Sequence, residues 1–388
     1  MGLLRWRIVA LAAAIVALLA GGTWVALTQA SARGKGKGAA AHQAAASHAH
    51  QANVQPETVV SVTPAARSQG VNGASPVQVV FSAPLAADSP MPTLTPAVDG
   101  GWQRVSPTTV QFVPTQGFTE QTRVRLVIPA GPSGVRSSSG GLLATQVVDK
   151  FLTGTYGTLR LEQLLAQLGY LPLTWLPVTG NIPVGSNDAS AQLSAAYSPP
   201  PGTFTWQPGY PSQLQNIWQQ GQNNLMVTGG VMAFESDHGL TMDGDAGPGV
   251  WRALLAAVAA GDNNSHGYTY ALASQAIPET LTVWHDGRVI LRTPANTGIS
   301  VAPTEIGTAP VYLRYTFQIM QGTNPDGSKY ADPVSWVSYF RSGEAVHYFP
   351  RGSYGYPQSL GCVELPYDQA HYVWPYMTYG TLVTVTAP

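Results

Sequence analysis

The amino-acid sequence predicts a multidomain chain of three folded segments: an all-β sandwich, a small α-helical domain and a mostly-β domain at the C-terminal end. Three observations carry this. Residues 56–153 hold short β-branched runs separated by Pro, Gly and Ser clusters. Residues 155–261 switch to apolar spacing of helical period, and residues 278–388 return to strand runs. A length of 388 residues fits two or three domains. Only 10% of the chain is charged, against roughly 25% in an average soluble domain. Yet 44% is hydrophobic, with 10 Trp and 17 Tyr, so most of the chain can bury a core and is not disordered. The formal net charge of −1 argues against nucleic acid as a partner, which would call for a clustered basic face.

The charge is unevenly placed. Residues 1–56 contain Arg5, Arg7, Arg33, Lys35 and Lys37 and no acid, whereas the rest has 14 basic and 20 acidic residues, a net of −6. Ile8 to Leu27 is an uncharged run of 20 residues, long enough to cross a hydrocarbon layer of about 30 Å as a helix. Residues 1–30 therefore read as a signal anchor with its membrane segment at 8–27, which places the remainder outside the cytoplasm. Ala30-Ser31-Ala32 also offers a small-residue cleavage site. Cleavage near Ala32 would make the protein secreted; the length of the apolar run favours the uncleaved anchor. Residues 31–55 follow as an Ala/Gly/His/Gln linker with little to bury, and His42, His48 and His50 read as linker residues rather than metal ligands.

In 56–153 the strand candidates are Val59–Val62, Val77–Phe81, Thr109–Val113 and Arg123–Ile128. Their pattern resembles the bacterial Ig-like domains of surface proteins, which implies a sandwich acting as a spacer. In 155–261, Leu159, Leu161, Leu164, Leu165 and Leu168 have helical spacing, and Gly169 ends the helix. A Pro-rich insertion spans about 172–208, a second helix carries Leu214, Ile217 and Trp218, and further helices carry Gly230–Glu235 and Val250–Leu255. The runs Leu161–Tyr170, Val231–Gly247 and Trp251–Leu255 resemble the small helical peptidoglycan-binding repeat. Glu235 stands where that repeat usually has Gln. Asp243-Gly244-Asp245 lacks the alternating ligands of a calcium loop and reads as a glycine-permitted turn.

From 278 onward, Thr280–His285 and Arg288–Arg292 flank Asp286-Gly287, a strong hairpin signal. Cys362 is the only cysteine. A lone cysteine is often an apolar filler, but a spare thiol in an exported protein is an oxidation liability unless it is used. Gly361 before it permits close backbone approach. His347 lies 15 residues upstream at the end of an apolar strand, and a cysteine nucleophile needs such a base.

His347, Ser359, Gly361 and Cys362 together resemble the signature of the L,D-transpeptidase catalytic domain, the cysteine enzymes that cross-link peptidoglycan. The "TG…PT..G" turn at 297–307 and the closing "GT.V.V" strand at 380–385 extend the resemblance. It implies Cys362 as nucleophile and His347 as base, with the Tyr348 backbone carbonyl orienting the imidazole. Amides around Gly361 and Cys362 would hold an oxyanion, and Ser359 would brace the loop. Tyr330, Met320 and Trp336 would line the substrate pocket. Leu360 stands in place of the usual His, and Glu364 in place of an Asn or Arg; the second change inverts local charge and raises the thiol pKa. His371 could join Cys362 and His347 around zinc, but three or four clustered ligands are the rule, and no metal or organic cofactor is expected.

The resemblance implies attack on a stem-peptide carbonyl and transfer of the acyl group to an amine, giving a 3→3 cross-link. Its partners would be the stem peptides and glycan of peptidoglycan, the membrane through the N-terminal segment, and β-lactams of the carbapenem type as inhibitors. The alternatives are an L,D-carboxypeptidase, which passes the same acyl group to water, and a non-catalytic wall-binding scaffold.

Overall fold

A computed structural model describes residues 54–115, 117–178 and 188–388. The anchor at 8–27 and nearly all of the linker lie outside the described residues; among the described residues no helix is long and apolar enough to cross a membrane.

The N-terminal sandwich contains strands β1 (Val59–Thr63), β2 (Val77–Phe81), β3 (Thr93–Thr95), β4 (Gly100–Ser106), β5 (Thr109–Pro114), β6 (Arg123–Ile128) and β7 (Val147–Leu152). One sheet runs β1-β2-β5-β4 and the other β3-β6-β7. Alternation along β2 and β6 turns Val77, Val79 and Phe81 inward against Val124, Leu126 and Ile128, so every second residue supplies the core.

The helical segment comprises α1 (Thr158–Gln167), β8 (Leu173–Pro177), α2 (Ala189–Tyr197), β9 (Gly202–Trp206), α3 (Ser212–Gln215), α4 (Leu225–Asp237) and α5 (Pro248–Ala260). Gly169 at φ 84° follows the end of α1, as the sequence suggests. The helix expected around Leu214–Trp218 is a single turn, α3, and the Pro-rich insertion holds the β8–β9 hairpin and α2. Gly244 turns at φ 73°, with its amide bonded to buried Glu235 at 2.9 Å. Burial pushes the Glu235 carboxyl up to about 7.

The last segment contains β10 (Thr269–Ser274), β11 (Thr280–His285), β12 (Arg288–Pro294), β13 (Gly307–Pro310), β14 (Leu313–Thr323), β15 (Lys329–Arg341), β16 (Glu344–Tyr348), β17 (Val363–Leu365), α6 (Tyr367–Val373) and β18 (Leu382–Thr386). Its sheets run β12-β11-β10-β18-β13 and β14-β15-β16-β17. The first sheet starts at Thr269 rather than 278, because β10 pairs with both β11 and β18. Asp286 and Gly287 both take positive φ, 46° and 74°, which closes the β11–β12 hairpin as expected. Val283, Val383, Phe340, Val346 and Val363 meet in the core between the sheets.

The expectation of a separate helical domain needs correction. Its core of Leu164, Leu165, Phe234, Trp251 and Leu254 runs on into Tyr268, Tyr270 and Leu382 of the following segment. Two glycine contacts weld the pair. A Cβ on Gly229 of α4 would lie 2.5 Å from the Gly380 carbonyl, and one on Gly209 would lie 1.9 Å from that of Gly287. Leu382 is fully buried where the two cores join. Leu382→Ala should cost about 2–5 kcal/mol, and calorimetry should show the helical and C-terminal segments melting in one transition; two transitions would contradict the shared core.

Candidate active site

Parallel pairing of β16 with β17 places His347 opposite Glu364. Cys362 lies two residues before Glu364, so strand alternation sends both side chains to the same face. That face forms part of a cavity of about 390 Å³ lined by His347, Cys362, Glu364, Arg351, Tyr339 and Leu360, and also by Met320 and Tyr330 from the β14–β15 hairpin.

The Cys362 thiol donates to the Gly343 carbonyl at 3.6 Å in the turn between β15 and β16. Burial pushes the thiol up to about 12, the nearby Glu364 and Glu344 carboxylates add to the rise, and the Ala345 backbone amide works against it. His347 is buried, and desolvation holds its imidazole below the usual 6.5 despite the Glu364 carboxylate. Its Nδ1 lies 2.9 Å from the Tyr348 carbonyl. A carbonyl only accepts, so Nδ1 carries the proton and Nε2 is the basic nitrogen. The resting pair is therefore a neutral thiol and a neutral imidazole.

Ser359 closes the loop around the cysteine. Its hydroxyl donates to the Cys362 carbonyl at 2.6 Å and accepts from the Gly361 amide at 3.2 Å. The Gly361 amide is thus already engaged, which leaves the Cys362 amide as the backbone donor to weigh for an oxyanion. Gly361 itself sits at φ 113°, backbone that side chains other than hydrogen rarely permit. The "TG…PT" turn docks this loop: Ser359 donates to the Thr297 carbonyl at 3.0 Å, and Ile299 to the Ser359 carbonyl at 2.9 Å. Buried Glu279 fixes Thr297 from behind, accepting from its amide at 2.6 Å and its hydroxyl at 2.7 Å.

Trp336 is not among the cavity residues. Plain alternation from Tyr330 through Asp332 and Val334 would put it there, but β15 bulges between Ser335 and Ser338 and Trp336 takes φ 60°. The bulge reverses the facing, so the indole stacks on His371 at 4.5 Å and packs against Trp374 and Tyr367. His371 is accordingly committed to this aromatic cluster and is not among the residues lining the cavity of Cys362 and His347.

The sequence reading missed Arg351. Its Nε donates to Glu364 Oε2 at 2.8 Å and its Nη2 to Oε1 at 2.7 Å, a bidentate pair. Asn296 adds a third donor to Glu364 at 3.3 Å. The charge inversion expected at Glu364 is thus offset by a neighbouring guanidinium. The one available signal was the acid itself, since a carboxylate between apolar Val363 and Leu365 needs a partner.

Ser359→Ala would leave the buried Gly361 amide without its acceptor. A loss of about 1–3 kcal/mol is expected, read as a lowered midpoint in thermal denaturation; an unchanged midpoint would show that the hydroxyl does not hold the loop.

Residues 269–385 match the family model of the L,D-transpeptidase catalytic domain, and residues 52–153 match that of the bacterial Ig-like domain. No curated protein sequence matches the chain. Similar solved structures include an L,D-transpeptidase from Mycobacterium smegmatis, at 16% identity over 86% of this chain and 100% of that one, with a TM-score of 0.29. Another is L,D-transpeptidase 3 from Mycobacterium tuberculosis in complex with a faropenem-derived adduct, at 18% identity over 84% of this chain and 97% of that one, TM-score 0.29. The catalytic domain from the E. faecium L,D-transpeptidase is 26% identical over 30% of this chain and 96% of its own, TM-score 0.28. Residues 269–385 of this protein are an L,D-transpeptidase catalytic domain, joined in one chain to a bacterial Ig-like domain at residues 52–153.

Proposed function

We propose that the protein is a peptidoglycan L,D-transpeptidase that works through a thioester on Cys362. The observation that carries this is the shared cavity of Cys362 and His347, with the imidazole fixed through Nδ1 on the Tyr348 carbonyl. Because the resting pair is neutral, attack is concerted with proton transfer. The Cys362 sulfur adds to the carbonyl of the third stem residue while its proton passes to His347 Nε2. The oxygen carries the negative charge, with the Cys362 amide as donor. Collapse breaks the peptide bond, and the leaving D-Ala amine takes the proton from His347. An amine of a neighbouring stem then attacks the thioester and gives up a proton through His347 to the departing thiol, forming the 3→3 cross-link and restoring the enzyme.

Met320 and Tyr330 would contact the donor peptide, since both line the cavity from the β14–β15 hairpin. The helical segment would hold peptidoglycan and the Ig-like domain would act as a spacer outside the cytoplasm, with residues 8–27 as a membrane anchor. A carbapenem would acylate the same sulfur.

Incubating the purified protein with a tetrapeptide donor should give an acyl adduct on Cys362 by mass spectrometry, absent in Cys362→Ala. An adduct that persists in that variant would falsify the mechanism. Adding an acceptor amine should yield cross-linked dimer; a tripeptide as the sole product would mark a carboxypeptidase.

The pH dependence has a definite sign. His347 is held below 6.5 by desolvation, so its base form persists to more acid solution than a free imidazole. The acid limb of kcat/KM should therefore have its midpoint below pH 6.5 and disappear in His347→Ala, where the remaining turnover is expected to be at least about a hundredfold lower.

A further inference from the structure

Glu364 sits in register with the base and two residues from the nucleophile, and it is only 4% exposed. A carboxylate so placed acts on both groups at close range, where little water screens it. Its negative charge favours the protonated imidazole and disfavours the thiolate. Arg351 is the structural answer. It reaches the carboxylate from the loop after β16 with two short hydrogen bonds, 2.8 and 2.7 Å. Its guanidinium lies 4.6 Å above the Phe349 ring, and Nη2 also donates to the Gln358 carbonyl at 2.9 Å. This arrangement fixes the cation at a single position.

We propose that Arg351 and Glu364 are a charge-compensating positioning pair: the guanidinium offsets the field of the buried carboxylate, which unopposed would act on Cys362 and His347 by further disfavouring the thiolate and favouring the imidazolium. This rests on the reading of those two residues as nucleophile and base.

The other charged and titratable neighbours do not perform this role. Glu344 and the Tyr330 and Tyr339 phenols bear on the sulfur, but Glu344 accepts from the Glu305 amide at 2.8 Å and pairs with Arg341. Asp332 and Tyr354 bear on Arg351 and strengthen its positive charge. Arg351 is the only Lys or Arg among the residues that line the cavity. Removing it would leave Glu364 with Asn296 as its remaining side-chain donor, a neutral group that cannot balance the charge.

Because Cys362 is the only cysteine in the chain, iodoacetamide modification of the full-length protein reports on it alone and involves no peptide donor. Alkylation would be timed at a fixed pH near 8.5, where the thiolate is the minor form, and the His347 ring would be titrated by NMR. Arg351→Met should slow alkylation about tenfold and raise the imidazole midpoint by about one pH unit. Glu364→Gln, which leaves the guanidinium unopposed, should move both in the opposite direction. Arg351→Met combined with Glu364→Gln should return both to within about threefold of the starting protein.

If the pair served only to anchor the loop, the two single variants would change in the same direction and the double variant would be no better. That outcome would overturn the proposal. Should Arg351→Met fail to fold, Glu364→Gln alone decides: faster alkylation with a lowered imidazole midpoint supports compensation, and an unchanged or slower rate refutes it. A protein that alkylates as described yet forms no acyl adduct would refute the transpeptidase reading and leave the pair intact.

Discussion

A carboxylate cannot be buried without partners, and the architecture around the active site follows from the way Glu364 finds them. Three donor groups on two residues from separate parts of the chain meet it: Arg351 with two hydrogen bonds, and Asn296 with one. Asn296 also accepts from the Gly355 amide at 3.0 Å and exchanges backbone hydrogen bonds with Glu364 itself. The acid thereby ties β17, the loop after β16 and the turn after β12 into one unit. The loop that carries Ser359, Gly361 and Cys362 is suspended from this unit, so the position of the sulfur depends on an ion pair it never touches. Such a pair contributes little to stability relative to apolar packing but is costly to break on one side, which gives the site a definite geometry.

The neutrality of the resting thiol and imidazole follows from the same burial. Desolvation raises one group and lowers the other, so both shifts favour keeping the proton on the sulfur. In the proposed reaction, charge would then develop only as the carbonyl is attacked, when it is useful. A thiol held in this form is also less open to oxidation, since the thiolate is the susceptible species.

Two glycine-to-backbone contacts and a shared apolar core make the helical segment part of the catalytic body rather than a module on a tether. The Ig-like sandwich is connected differently, through polar contacts such as Asn72 to Ser194 at 3.0 Å and Tyr197 to the Phe118 carbonyl at 2.9 Å. Apolar continuity on one side and hydrogen bonds on the other set two levels of coupling along the chain.

Four of the seven strands of the sandwich (β1, β2, β5 and β6), the Asp286-Gly287 hairpin, the helix ended by Gly169, and His347, Ser359, Gly361 and Cys362 as a constellation could all be read from the sequence. Each rests on a period of two or 3.6, on local turn chemistry, or on rare residue types at short spacing. Three things could not be read in this way. Trp336 leaves the cavity because of a bulge that shifts the facing of β15 by one residue, and alternation has no means of marking it. β10 joins the first sheet of the C-terminal segment through Leu382–Thr386, more than a hundred residues away. Glu364 looked like an inverted charge because Arg351 and Asn296 come to it from 13 and 68 residues away. The sequence by itself determined which chemistry-bearing groups the protein possesses and which local elements carry them. Only the tertiary structure decided how those groups are charged and which of them share a cavity, because burial and partner charge depend on contacts that local periodicity does not encode.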